Sequence, residues 1–279
     1  MALDDVVLEK LQQKRRFGFN VDDTLSHFGI SFGGEGEFAS WTNQSDVINY
    51  EGKQYFLKSL SWPGNIIIGT GRPVVEYFFN DGFVQKASFT ERVKLEQEKF
   101  KALREVGVNV PVACNDLLSD ELANQVSLTK YVDHTNLLKV DENDLVLPLL
   151  RAFEEYRKLH DAGFVHGDAW LGNIGKETSS GDIILFDGEF KADNLPHKDL
   201  VGLCCSVLAR TNKNTYDVKD MVKDAYGILP DSMKQAIKQD VYGVEQSCIP
   251  LSVRSRFFDG FVYGTSARQT QCMREMLLE

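Results

Sequence analysis

The sequence predicts an α+β chain of two lobes: a small β-rich N-terminal lobe with one key helix, and a larger, mainly helical C-terminal lobe. Two patterns carry that prediction. From about residue 28 to 112, short β-rich runs alternate with Gly-rich turns around one clear helix, whereas from about 135 onward the periodicity is helical, broken by a small hairpin. A chain of 279 residues with 43% hydrophobic content can bury the core of one long domain or of two lobes. The joint falls near LTKYVDHTNL (128–137), which has no Gly or Pro run and reads as a tight hinge. The expected division is therefore 1–128, a hinge at 129–134, and 135–279.

In the first lobe, SFGGEGEFAS (31–40) brings Gly33, Gly34 and Gly36 together, a composition that suits either a loop approaching phosphates closely or a plain β-turn. YEGKQYFLKSL (50–60) turns at Glu51-Gly52 and then alternates as a strand through Gln54, Tyr55, Phe56, Leu57 and Lys58. NIIIGTGRPVVEYFFNDGFVQ (65–85) reads as a hairpin turning at Asn80-Asp81-Gly82. Ser88-Phe89-Thr90-Glu91 matches a capping box and opens a helix that stops at Gly107, with Val93, Phe100, Leu103 and Val106 on its apolar face. In the second lobe, LVLPLLRAFEEYRKLHDAG (145–163) puts Val146, Leu149, Leu150, Phe153, Tyr156 and Leu159 near helical spacing, and Gly163 supplies the stop.

Composition limits the partners. Thirty-one basic against forty-one acidic residues give a formal charge of −10, which argues against a primary role on nucleic acid or an anionic membrane surface. The five cysteines are odd in number and lack metal-ligand spacing; Cys204 and Cys205 lie in the apolar run VGLCCSVLA and read as buried small hydrophobes in a reducing cytosol. The opening MALDDVVLEKLQQKRRFGF lacks the charged-then-apolar order of a signal peptide, and no run approaches the ~18 apolar residues of a membrane span. A cytoplasmic location without integral membrane contact is the expectation.

The chemistry concentrates in FVHGDAWLGN (164–173) and, after a polar Thr-Ser-Ser-Gly turn at 178–181, in ILFDGEF. Two carboxylates and an amide are costly to gather unless a cation sits among them. A hairpin centred near residue 180 pairs position 173 with position 187, which brings Asn173 beside Asp187 while Asp168 arrives from the preceding loop. Converging carboxylate and amide oxygens suit Mg²⁺, a hard ion that shares its shell with substrate phosphates.

His-Gly-Asp-x-x-x-x-Asn followed by a strand and Asp-Gly resembles the catalytic and metal-binding loops of the protein-kinase-like phosphotransferases. The His-Gly-Asp form is most like the aminoglycoside, fructosamine and lipopolysaccharide kinases and the RIO-like group. The resemblance implies a protein-kinase-like fold, ATP and Mg²⁺ as cofactors, Asp168 as the carboxylate that orients or deprotonates an acceptor hydroxyl, and Asn173 and Asp187 as metal ligands. It also implies a strand lysine for the α/β-phosphates, for which Lys58 is the candidate and Lys53 the solvated neighbour. The partner of that lysine follows from periodicity. Glu96 lies three residues after Val93 and four before Phe100, on the inward face, while Glu98 is ~200° further round at ~100° per residue. A carboxylate on a core-facing stripe calls for a cation, and Lys58 is the expected one. The end of this helix, LREVGVNVP, resembles the same place in lipopolysaccharide and small RIO-like kinases.

By resemblance alone, Gly33, Gly34 and Gly36 would cover the phosphates, Lys130 and Val132 in the Thr129-Lys130-Tyr131-Val132 hinge would offer backbone groups to adenine, and 65–85 could instead be an acceptor-side insertion. Departures from the protein-kinase pattern narrow the function. Trp170 stands where serine/threonine kinases keep a lysine, and Asp187-Gly188-Glu189 replaces Asp-Phe-Gly, which removes the Phe packing switch. Asp199-Leu200, resembling the Asp that opens the next buried helix, follows after only a short segment, and no Ala-Pro-Glu docks a peptide. Gly167 occupies the position of the regulatory Arg, and GEFKADNLPHK (188–198) has no Ser, Thr or Tyr to phosphorylate, so activity should not require modification there. The pattern points to a sugar, lipopolysaccharide-type or small-molecule kinase whose partners are ATP and a hydroxyl-bearing acceptor, possibly a protein. An atypical RIO-like protein kinase is the alternative. A nucleotide-binding pseudokinase acting as a binding module is a further one, opposed by the joint presence of Lys58, Glu96, Asp168, Asn173 and Asp187.

Overall fold

The computed structural model of the chain describes residues 2–16, 43–60, 89–188, 190, 196–211 and 215–227, with 231–232 and 235. Gly33, Gly34, Gly36, the 65–85 segment and Ser88 of the capping box lie outside the described residues. The α+β class, with β-rich structure first and mainly helical structure after it, is that expected from the sequence. Packing divides the chain into two units: Met1–Lys101 with Val112–Tyr131, and Ala102–Pro111 with Val132–Glu279.

The first unit is built on an antiparallel sheet in the order β1-β2-β3: β1 (Asn43–Tyr50), β2 (Lys53–Leu60) and β3 (Val126–Lys130). Glu51 and Gly52 join β1 to β2 with φ of 50° and 74°, the two-residue turn whose twist matches that of a hairpin. Period-two alternation then separates the faces. Tyr55 and Leu57, with Ile48, Val126 and Leu128 from neighbouring strands, form one core cluster with Leu3 and Val7 of helix α1 (Leu3–Arg16). Lys58 and Phe56 point the other way, and Lys58 pairs across the sheet with Ser127.

Helix α2 (Phe89–Glu105) buries Val93, Gln97, Phe100 and Leu103 and leaves Glu98 exposed. Val106 does not join the apolar face. It is 56% exposed because the helix ends at Glu105 and the chain turns at Gly107, φ 83°, where the helical period no longer applies. A short helix α3 (Asp120–Ala123) precedes β3.

The second unit contains α4 (Val146–Asp161), α5 (Pro196–Arg210), α6 (Thr215–Tyr226) and an antiparallel sheet in the order β4-β5-β6: β4 (His134–Asn136), β5 (Ile174–Glu177) and β6 (Ile183–Leu185). Leu149, Ala152, Phe153, Tyr156 and Leu159 of α4 are buried, with Pro148 beside them; Val146, in the opening turn, is exposed rather than on the inward stripe. α4 packs against α6. Cys204 in α5 is buried, and burial pushes its thiol up to about 12, so it behaves as a small hydrophobe.

The β5–β6 hairpin corrects one expected pairing. Glu177 and Asp182 close a turn over Thr178–Gly181, the Glu177 amide donating to the Asp182 carbonyl at 2.8 Å. Ile174 therefore sits opposite Leu185, and Asn173 faces Phe186 instead of residue 187; the Phe186 amide donates to the Asn173 carbonyl at 2.8 Å. A four-residue turn centres the hairpin between Ser179 and Ser180, which shifts every partner by one. Among the described residues, no helix is long and apolar enough to cross a membrane.

Candidate active site

The loop between α4 and β5 is closed by its own polar groups. Asn173 donates its side-chain nitrogen to the Asp168 carbonyl at 2.9 Å and to Asp168 Oδ2 at 2.8 Å. Two acceptors on one side fix the orientation of the amide, so Nδ2 is committed and Oδ1 is the atom left for a further ligand. Asn173 is buried and Asp168 half-buried. Asp187, one residue past the hairpin pairing, is exposed and adopts the left-handed φ of 51°. An amide oxygen and a carboxylate are the donor set of a hard divalent cation. Among the described residues, no three His, Cys, Asp or Glu side chains cluster closely enough to hold an ion. Asn173 and Asp187 could supply two ligands of a Mg²⁺ shell, with phosphate and water oxygens beside them.

The backbone of the His166-Gly167-Asp168 segment is held from below by Asp199. This carboxylate, in the first turn of α5 and almost wholly buried, accepts the His166 amide at 2.5 Å, the Gly167 amide at 2.9 Å and His160 Nε2–H at 3.0 Å. Gly167 has φ 82°, a conformation strained for any side chain, so glycine there follows from the backbone path itself.

The His166 ring is fully buried and bridges two segments. Its Nε2–H donates to the Phe186 carbonyl at 3.0 Å, and its Nδ1 accepts the Asp168 amide at 3.3 Å. That bonding requires the neutral ring, and burial lowers its pKa despite the opposing charge of Asp199. Phe190 packs edge-on to His166 at 5.1 Å between ring centroids and is itself buried, while its amide donates to the His166 carbonyl at 3.2 Å. An aromatic ring thus packs against His166 from Phe190, three residues after Asp187.

Further contacts set the far side of the loop. The Leu171 amide donates to Ser206 Oγ at 3.0 Å, and Asn136 Nδ2 donates to the Gly172 carbonyl. Trp170 folds over Gly172 so closely that no side chain fits at 172.

On the first unit, Lys58 Nζ lies 3.4 Å from Glu96 Oε1, with side-chain exposures of 20% and 18%. The helix is seated beside this pair by Gln97, whose Nε2 donates to Ser127 Oγ at 2.9 Å and whose Oε1 accepts the Asn115 amide at 3.3 Å. Because Ser127 pairs with Lys58 across the sheet, the same contact sets the height of Glu96 over the strand. In the hinge, the Lys130 amide donates to the Val112 carbonyl and the Tyr131 amide to the Gln54 carbonyl, while the Val132 carbonyl accepts from His134 Nδ1.

Sequence reasoning passes over Gln97, Asn136, His160, Ser206 and Tyr226. Each acts through long-range hydrogen bonds, which leave no local periodicity to detect.

No protein-family model and no curated protein matches the chain. Among solved structures, it is similar to kinase domains of Mycobacterium tuberculosis PknI. A double mutant of that domain is 15% identical, covering 85% of this chain and 91% of that chain at a TM-score of 0.37. A second double mutant is 13% identical, with 85% and 92% covered at 0.35, and the unsubstituted domain is 14% identical, with 85% and 92% covered at 0.34. Overlap at this level assigns nothing to individual residues, and the chemistry has to be read from the chain's own side chains.

Proposed function

We propose that the chain is a phosphotransferase of the protein-kinase-like superfamily, in the His-Gly-Asp branch, that moves the γ-phosphate of Mg-ATP to a hydroxyl of a sugar, lipopolysaccharide-type or small-molecule acceptor. The reading rests on the Asp168–Asn173 closure, supported by the Lys58–Glu96 pair. Asn173 fixes both the backbone and the carboxylate of Asp168, so that carboxylate is pre-oriented to accept the proton of an acceptor hydroxyl as the oxygen attacks phosphorus. Lys58, positioned by Glu96, neutralises phosphate oxygens of the nucleotide. Asn173 Oδ1 and Asp187 are the metal ligands, and bound Mg²⁺ would supply charge stabilisation to the transferring phosphoryl group. The 1–128 lobe carries the nucleotide contacts and the 135–279 lobe the acceptor.

The experiment is product identification. Purified protein is incubated with Mg-ATP and a panel of sugars, lipid-core saccharides, small alcohols and proteins, and phosphorylated products are found by mass spectrometry. A phosphorylated sugar or lipid-core product supports the reading. Phosphorylation of protein serine or threonine alone would replace it with the RIO-like alternative, and nucleotide binding without product would identify a binding module.

A further inference from the structure

We propose that Tyr226 is a positioning residue for the His166–Asp168 loop, acting from the end of α6 through His160 and Asp199. The inference rests on the reading of that loop as catalytic, and adds to it a control point on a different helix.

The sequence puts Tyr226 where it can act. Val218, Met221, Val222 and Ala225 are buried on α6, and Tyr226, four after Val222, continues that inward stripe. Gly227, φ 68°, then ends the helix. The stripe faces α4, which presents His160 in its own last turn with a side chain only 5% exposed.

A line of hydrogen bonds runs from there to the loop. The Tyr226 hydroxyl lies 3.1 Å from His160 Nδ1; His160 Nε2 lies 3.0 Å from Asp199 Oδ2; the same oxygen takes the His166 amide, and Oδ1 takes the Gly167 amide. Its direction follows from the chemistry. A carboxylate offers lone pairs, so His160 meets it with Nε2–H, and in the neutral ring Nδ1 then presents a lone pair that Tyr226 fills. Burial, reinforced by the Asp199 charge, raises the pKa of Tyr226, which keeps its hydroxyl a donor. Without the hydroxyl, Nδ1 loses its partner and the His160 ring is held at one nitrogen only. The ring can then turn, which misaligns Nε2–H on Oδ2 and loosens the oxygen that holds the His166 amide.

Tyr156 provides the control. Its hydroxyl is buried in the same unit but finds no hydrogen-bond partner among the described residues.

The test uses the full chain and residue-resolved amide hydrogen exchange, which reads the coupling whether or not the protein is an enzyme. In Tyr226→Phe, exchange at His166 and Gly167 should accelerate about tenfold, the equivalent of one buried hydrogen bond, while the α4 core amides of Leu149 and Phe153 keep their protection. Tyr156→Phe should leave His166 and Gly167 unchanged. In a His160→Gln background, Tyr226→Phe should add nothing further at the loop. In parallel, the kcat of Mg-ATP consumption should fall several-fold in Tyr226→Phe with KM for ATP unchanged. His166 and Gly167 exchange within about twofold of wild type, or equal acceleration throughout the second unit, overturns the proposal. So does a rise in KM at constant kcat. A wild-type protein that consumes no ATP under any condition defeats the catalytic reading alone, and the exchange data still decide the coupling.

Discussion

Asn173 holds Asp168 twice, donating one side-chain nitrogen to its carbonyl at 2.9 Å and to its carboxylate at 2.8 Å. The amide cannot be exchanged for its isosteric acid without reversing that relationship. Asn173→Asp puts a second carboxylate against the first and removes both donated bonds, for an expected loss of about 2 kcal/mol in unfolding free energy. Since the new carboxylate also adds a hard oxygen ligand, Mg²⁺ should raise the melting temperature of this variant more than that of wild type. Thermal melts with and without Mg²⁺ check both effects, and a variant as stable as wild type in the absence of the ion would count against the closure.

Lys58 and Glu96 are each about one-fifth exposed, so their pairing should matter more for positioning than for stability. Lys58→Met and Glu96→Gln should each cost only about 1 kcal/mol of stability. Their effects on Mg-ATP turnover should be strongly non-additive, the double variant being little worse than either single one. Glu98→Gln, on the solvent side of the same helix, should leave turnover unchanged. Additive losses would show that the two residues act separately.

Gly175 makes possible a contact that no other residue would allow. A Cβ there would stand 2.6 Å from both His134 and Phe186, whose rings meet at 4.4 Å across the strand. Gly175→Ala should destabilise the chain by about 1–3 kcal/mol through this overlap. Chemical denaturation measures it, and a neutral substitution would mean that the two rings move apart at no cost.

His166 is buried in its neutral form, with its pKa lowered from the ordinary 6.5. The unfolded chain then takes up this proton more readily than the folded one. Its contribution to stability is complete above pH 6.5 and is lost as the pH falls from there toward the folded-state value. Urea midpoints followed from about pH 7.5 to about pH 5 should decline, and less steeply in His166→Asn. Equal slopes in the two proteins would assign the decline to other groups.

Periodicity made the helices and strands around the site legible, and it selected Glu96 over Glu98 because a period of about 3.6 places only one of them inward. The hairpin was legible as a hairpin but not in register: turn length decides pairing, and a centre shifted from Ser180 to between Ser179 and Ser180 moves Asn173 from residue 187 to Phe186. α1 carries helical spacing at Leu3, Val6, Val7 and Leu11, which a search for a targeting segment passes over. The supports of the loop were the least visible part. Asn136 and Ser206 bond the loop directly from distant segments, His160 and Tyr226 act on it through Asp199, and a polar residue in such a role looks locally like any solvated one.

The most direct test of the account is Mg-ATP turnover by the wild-type chain beside Asp168→Asn and Asp187→Ala, with nucleotide affinity measured on the same samples. Wild type should consume ATP only when Mg²⁺ is present. Asp168→Asn should lose turnover and keep its affinity for Mg-ATP, since the proposed role of that carboxylate is toward the acceptor. Asp187→Ala should lose turnover together with the Mg²⁺-dependent part of its affinity. Undiminished turnover in Asp168→Asn, or equal Mg-ATP affinity in wild type and Asp187→Ala, would contradict the assignment of this loop as the catalytic centre.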